Sequence, residues 1–231
     1  MRRFALLVLS GCLASLCMGA GLQVTPILQE IPIGETTALY QVRNTGETSV
    51  TVQVSAQAWQ QENGKRVTVD TESIQTNPPL ISLEPGQDEW VRVALTTERS
   101  EQEQAFRVYF SQVPETAQTL HPGVRTLIKL DTPLFFQARE PKTDLQWALE
   151  QDAQGWHLQV HNAGTRFSHL TQLAVETEGG RRLPIAEGVH YILPGASQSW
   201  LLDLTDVEAQ GGLSLQMMSG GQVQFQPLNT E

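Results

Sequence analysis

The run Val50-Thr51-Val52-Gln53-Val54-Ser55-Ala56-Gln57-Ala58 alternates apolar and polar residues without a break. A period of two puts Val50, Val52, Val54, Ala56 and Ala58 on one side of an extended chain and the polar residues on the other, which is the pattern of a half-buried β-strand. The run before it, Thr37 to Arg43, is joined to it by Asn44-Thr45-Gly46-Glu47, which reads as a hairpin-type turn.

The same pattern recurs along the first half. Val67 to Val69 follows, then the breakers Pro78-Pro79 and Glu84-Pro85-Gly86, then Trp90 to Leu95 with Val91, Val93 and Leu95 on one face, then Phe106 to Val113. Short strands separated by Pro and Gly turns at this spacing read as an antiparallel sandwich of immunoglobulin type. From Val124 to Phe136 the row Val124, Thr126, Ile128, Leu130, Thr132, Leu134 and Phe136 stands opposite Arg125, Lys129 and Asp131. As one strand this segment would be about 40 Å long, longer than most sandwich strands.

Arg139-Glu140-Pro141-Lys142 is a charged, proline-bearing stretch that reads as an interdomain linker. A second set of strands follows: Leu145 to Glu150, Trp156 to His161, Thr171 to Thr177, Arg181 to Ile185, Gln198 to Leu204 and Gln222 to Gln226. Turns fall at Asn162-Ala163-Gly164, Gly179-Gly180, Pro194-Gly195 and Ser219-Gly220-Gly221. The expected organisation is all-β, two immunoglobulin-like β-sandwich domains over 21–138 and 139–231, with 1–20 as a leader. No long helix and no sequence repeat is evident.

Met1-Arg2-Arg3 leads into the apolar stretch Phe4 to Leu9 and ends in the small residues before Ala20, the form of a secretory signal peptide. Ser10, Gly11 and Ser15 interrupt it, whereas a membrane span needs about 20 apolar residues in a row. Leu9-Ser10-Gly11-Cys12 also looks like the box before a lipidated cysteine. A cut there leaves only about six apolar residues where roughly 7–15 are usual, so the longer cut is preferred. Cys12 and Cys17 both lie in the leader, which leaves the mature chain without disulfide, thiolate or cysteine-metal chemistry. Loss of Arg2 and Arg3 takes Lys+Arg from 15 to 13 against 25 Asp+Glu, and the formal net charge from -10 to -12, which argues against nucleic acid as partner.

Catalytic signatures are weak. His157 and His161 alternate with the strand around them and should stand about 13 Å apart, too far to share a metal. Ser197 follows Gly195-Ala196 as a nucleophile would, but position 199 is Ser rather than the Gly that motif needs, so a hairpin turn is expected there. No cofactor is implied, and an enzyme is not expected.

Several stretches, in order and well spaced, resemble the periplasmic fimbrial chaperones of the chaperone–usher pathway, above all the archaic or spore-coat-like branch. They are Leu22-Gln23-Val24-Thr25-Pro26, Val42-Arg43-Asn44-Thr45-Gly46, Asn77-Pro78-Pro79-Leu80, Leu83-Glu84-Pro85-Gly86, Val91-Arg92-Val93 and Phe106-Arg107-Val108-Tyr109-Phe110 with Val113-Pro114-Glu115. In the second half, Val160-His161-Asn162-Ala163-Gly164 and Tyr191-Ile192-Leu193-Pro194-Gly195 with Trp200 complete the set.

The resemblance implies a boomerang of two immunoglobulin-like domains that caps pilin subunits and delivers them to an outer-membrane usher. A pilin of this class lacks a strand, and the chaperone lends one of its own, a form of β-augmentation. The implied donor is the long strand, with Val124, Thr126, Ile128 and Leu130 entering the pilin and Leu134 and Phe136 kept for the chaperone's own core. Three aliphatic side chains at roughly 1.5–3 kcal/mol each give about 5–9 kcal/mol before association costs. In the better-studied branch an Arg near the start of the first strand and a Lys on the donor strand clamp the pilin's C-terminal carboxylate. Here Leu28 or Ile27, and Pro133, stand at those places. Substitutes would come from Arg92, Arg107, Arg43 or Lys129. The alternative reading is a secreted two-domain β-sandwich adhesin or structural surface protein.

Overall fold

The computed structural model describes residues 21–114, 126–186, 188–219 and 222–228. The leader 1–20 therefore lies outside the described residues. In chain order the first half forms β1 (Leu22–Thr25), β2 (Gln29–Ile31), β3 (Thr37–Asn44), β4 (Val50–Glu62), β5 (Lys65–Asp70), β6 (Ile74–Asn77), β7 (Leu80–Leu83), β8 (Asp88–Leu95), β9 (Gln104–Gln112) and β10 (Lys129–Phe136). The second half forms β11 (Leu145–Asp152), β12 (Gly155–Asn162), β13 (Ser168–Thr177), β14 (Arg182–Ala186), β15 (His190–Ile192), β16 (Ser197–Leu202), the short helix α1 (Asp206–Gln210), β17 (Leu213–Ser219) and β18 (Gln222–Leu228).

Each half is a two-sheet sandwich. In the first, one sheet runs β1, β3, β8, β6 and the other β2, β10, β9, β4, β5, with β7 also on β4. In the second, β11, β12, β16 face β14, β13, β17, β18, with β15 on β13. The alternating rows turn inward as their period requires. Val50, Val52 and Val54 meet Ala38, Tyr40, Val42, Val91, Val93 and Leu95 from the opposite sheet, and the Tyr40 and Phe110 rings meet edge to face 5.3 Å apart. Leu158, Val160, Leu170, Val175 and Leu215 centre the second core.

Two expected hairpins are corrected. Asn44 to Glu47 is not a hairpin turn, because β3 and β4 belong to opposite sheets and the chain arches from one to the other. The buried Asn44 side chain makes the arch: Nδ2 donates to the carbonyls of Thr48 (2.8 Å) and Leu83 (3.0 Å), and Oδ1 accepts from the Gly46 N–H (2.9 Å). Asn162 does the same in the second half, donating to Arg166 and Ile192 (both 2.9 Å) and accepting from the Gly164 N–H (3.0 Å). Each asparagine carbonyl also accepts from the glycine of a Pro-Gly turn, Gly86 or Gly195, and these glycines sit at φ 78° and 73° as the third residue of such a turn requires. Pro194-Gly195 is likewise a crossing between sheets and not a hairpin, so the turn expected before Ser197 is corrected too.

The two halves touch extensively. Trp59 and Phe135 from the first pack with Phe167, Leu193 and Ala196 from the second. Gln61 at the tip of β4 brackets the second half, giving Nε2–H to the Tyr191 carbonyl (2.6 Å) and taking the Leu193 N–H on Oε1 (2.8 Å). Glu103 accepts the Phe167 N–H (2.8 Å), and Arg166 pairs with Glu30. The stretch read as a linker is held as well: the Lys142 N–H bonds the Thr165 hydroxyl, and the Lys142 carbonyl accepts from the Thr165 N–H, both at 2.9 Å.

The edge of strand β10 and the cleft beside it as candidate functional site

β10 is paired with β9 along its whole length, from Lys129 opposite Ser111 to Phe136 opposite Gln104. Its other side is covered by β2 only at Leu134, Phe135 and Phe136. Among the described residues, no strand covers that side of Lys129 to Pro133. The Gln112 N–H bonds the Ile128 carbonyl at 2.8 Å, so even-numbered residues direct their backbone groups to β9. Antiparallel alternation then turns the N–H and C=O of Lys129 and Asp131 outward, along the uncovered side.

The apolar row expected on this segment runs outward from the core. Thr132, Leu134 and Phe136 are buried, Leu130 is half-buried against the same core, Ile128 is half-buried beside Leu22, Val50 and Val52, and Thr126 is exposed. Val124 lies outside the described residues. Among the described residues the strand begins at Lys129, with Thr126, Leu127 and Ile128 preceding it outside any strand and β9 ending at Gln112.

On its outer face β10 carries Lys129, Asp131, Pro133 and Phe135. Lys129 Nζ lies 4.1 Å from the centre of the Tyr109 ring. Arg107 stands directly opposite Pro133, nearly buried, with its guanidinium 4.9 Å from the centre of the Trp59 ring. Its Nε donates to Asp131 Oδ1 at 2.6 Å, while Arg66 Nη1 holds Asp131 Oδ2 at 2.7 Å. Two guanidiniums share one carboxylate, so the cluster carries an unbalanced positive charge. Arg66, Arg107, Trp59 and Gln61 line one side of a hollow of about 290 Å³ whose other side is Tyr191, His190 and Gln198 from the second half.

The four basic candidates are thus separated. Arg107 faces the hollow and Lys129 lies further up the same sheet face. Arg43 and Arg92 are exposed on the opposite sheet, opposite Asp88 and Leu39 respectively, and the fold does not bring them to the cleft. Leu28 packs into the contact between the halves and Ile27 is exposed, so neither supplies a charge. Local sequence gives no sign of Arg66 in this group, since its partner Asp131 lies 65 residues away.

The two histidines do not share a site: His157 bonds Asp152 and His161 bonds Ser197, each at 3.0 Å. Among the described residues no three of His, Cys, Asp and Glu gather to hold a metal ion, and no helix is long and apolar enough to cross a membrane.

The sequence over residues 21–142 matches the family described as pili and flagellar-assembly chaperone, PapD N-terminal domain. The chain belongs to the pilus-assembly chaperones. Members of this family are non-catalytic chaperones, which sets aside the enzyme. Curated proteins searched by sequence offer no match. Solved structures share the fold of this chaperone at low identity. A chain in the CsuC–CsuE chaperone–tip adhesion subunit pre-assembly complex from archaic Csu pili of Acinetobacter baumannii is 19% identical, with a TM-score of 0.69 over 92% of this chain and 100% of that one. One in the Salmonella enterica complex of SafA pilin with the SafB chaperone is 20% identical, TM-score 0.63, covering 90% and 95%. The Pseudomonas aeruginosa CupB2 chaperone is 16% identical, TM-score 0.59, covering 89% and 98%.

Proposed function

We propose that this chaperone is exported to the periplasm by a cleaved leader, caps pilin subunits by lending them the edge of β10, and passes them to an outer-membrane usher. The observation that carries the reading is the half-covered β10: Lys129 and Asp131 turn backbone groups to an uncovered side while Ile128 and Leu130 continue the apolar row of the core toward its exposed end. An unpaired edge invites a further strand, and alternate side chains then fill the partner's pockets. Val124, Thr126, Ile128 and Leu130 are the donor row.

Arg107 is the candidate that the cleft favours as anchor for a pilin's C-terminal carboxylate. It is the cross-strand neighbour of Pro133, the position where the better-studied branch carries a lysine, and Arg66 stands beside it on Asp131. Charge-assisted bonds from a planar guanidinium suit a carboxylate. The apolar residues at Leu28 and Pro133, together with the sequence stretches of the first half, support assignment to the archaic branch, to which the Csu pili also belong. The two domains are taken as 21–138 and 139–231.

The test is co-expression of a pilin from the same organism with this chaperone. A stable one-to-one complex that is lost on Ile128→Asp supports strand donation, whereas a complex indifferent to that change overturns it.

A further inference from the structure

Among the described residues β18 is the outermost strand of its sheet, paired with β17 on one side only. Its segment Gln222-Val223-Gln224-Phe225-Gln226 carries no charge, and Val223 and Phe225 are 48% and 65% exposed. Edge strands are ordinarily blunted by lysine, proline or a bulge. Here Pro227 protects only the far end. Strand alternation puts Val223 and Phe225 on one face, so two large apolar side chains stand next to each other in the open on an uncharged edge.

The pattern is close to symmetric about Gln224. Only two residues separate Ser219 from Gln222, which makes them a hydrogen-bonded pair and turns the backbone groups of Val223 and Phe225 to the free side. An antiparallel copy placed on a two-fold axis through Gln224 therefore sets Val223 against Phe225 of the second copy, each pair exchanging both backbone hydrogen bonds. Gln224 faces its own equivalent, no like charges meet, and the paired stretch lies short of Pro227, which has no N–H to offer. Aromatic and β-branched residues are favourable cross-strand partners, and self-complementarity about a dyad is what an isologous interface requires.

We propose that β18 is a self-association edge, through which two copies of this chain join antiparallel about Gln224, independently of the β10 edge used for pilins. In the dimer the four exposed apolar side chains cover one another and the second sheets of both copies become continuous.

Analytical ultracentrifugation of the purified chain over a hundredfold concentration range tests this. A concentration-dependent dimer is expected, with its dissociation constant raised at least tenfold by Phe225→Lys or Gln224→Lys, both exposed positions whose folding is checked by circular dichroism. Because Gln224 meets itself, an equimolar mixture of Gln224→Lys and Gln224→Glu chains should restore the dimer that each charge variant alone weakens. Ile128→Asp should leave the dimer intact. A chain that stays monomeric throughout, a dimer unaffected by Phe225→Lys, or one lost on Ile128→Asp would overturn the proposal.

Discussion

The ring of Phe135 lies flat on the ring of Phe167, centroids 3.9 Å apart and planes 12° from parallel, and this stack joins the last strand of the first sandwich to the second. Phe135 is on the outer face of its own sheet, yet fully buried, because the second half covers it together with Trp59. Replacing either phenylalanine by alanine should cost about 3–5 kcal/mol, the usual penalty for an emptied aromatic site. Urea unfolding followed by tryptophan fluorescence measures it, and a cost under about 1 kcal/mol would show that the stack does not hold the halves together.

Glu103 makes the same contact sensitive to pH. Its Oε1 takes the Phe167 N–H while Oε2 is buried without a partner, and burial pushes the carboxyl from its ordinary 4.5 up to about 7, against the opposing effect of that hydrogen bond. The nearby Glu30 carboxylate adds to the rise and Arg166 opposes it. The folded state thus keeps a proton that the unfolded chain gives up, so Glu103 contributes most below pH 4.5 and its contribution is lost as pH rises through 7. Melting temperatures taken between pH 4.5 and 8 should fall less steeply with pH in Glu103→Gln than in the parent chain. Equal slopes would remove Glu103 as the source.

Asn44 and Asn162 should be among the most sensitive positions in their halves. Alanine at either leaves two carbonyls and one N–H in or near the core without their side-chain partner. At about 1–3 kcal/mol for each buried group left unpaired, a loss above about 2 kcal/mol is expected from either substitution by chemical denaturation.

Arg107→Ala should weaken pilin binding by about 10–100-fold, the equivalent of one charge-assisted hydrogen bond. The comparison that isolates the anchor uses a pilin whose C-terminal carboxylate is amidated. Isothermal titration should show the loss with the free acid and little of it with the amide; an equal loss with both would mean that Arg107 acts only by holding Asp131 and Trp59 in place.

Side-chain alternation is a local property of extended chain, and so the rows Val50 to Ala58 and Val91 to Leu95 announced their buried faces without reference to any other part of the molecule. The all-β class, the two sets of strands and the apolar row leading out of the core at Ile128 and Leu130 were legible for the same reason. Local pattern cannot say which sheet a strand joins. The Asn44 turn reads as a hairpin because its residues fit one, whereas the direction of the arch is decided by Leu83, whose carbonyl Asn44 reaches from 39 residues away. Nor could it unite Arg66, Arg107 and Asp131, or lay Phe135 on Phe167. Those neighbours are made by strand order and by the contact between the halves, where burial and charge pairing act between residues that are close only once the chain has folded.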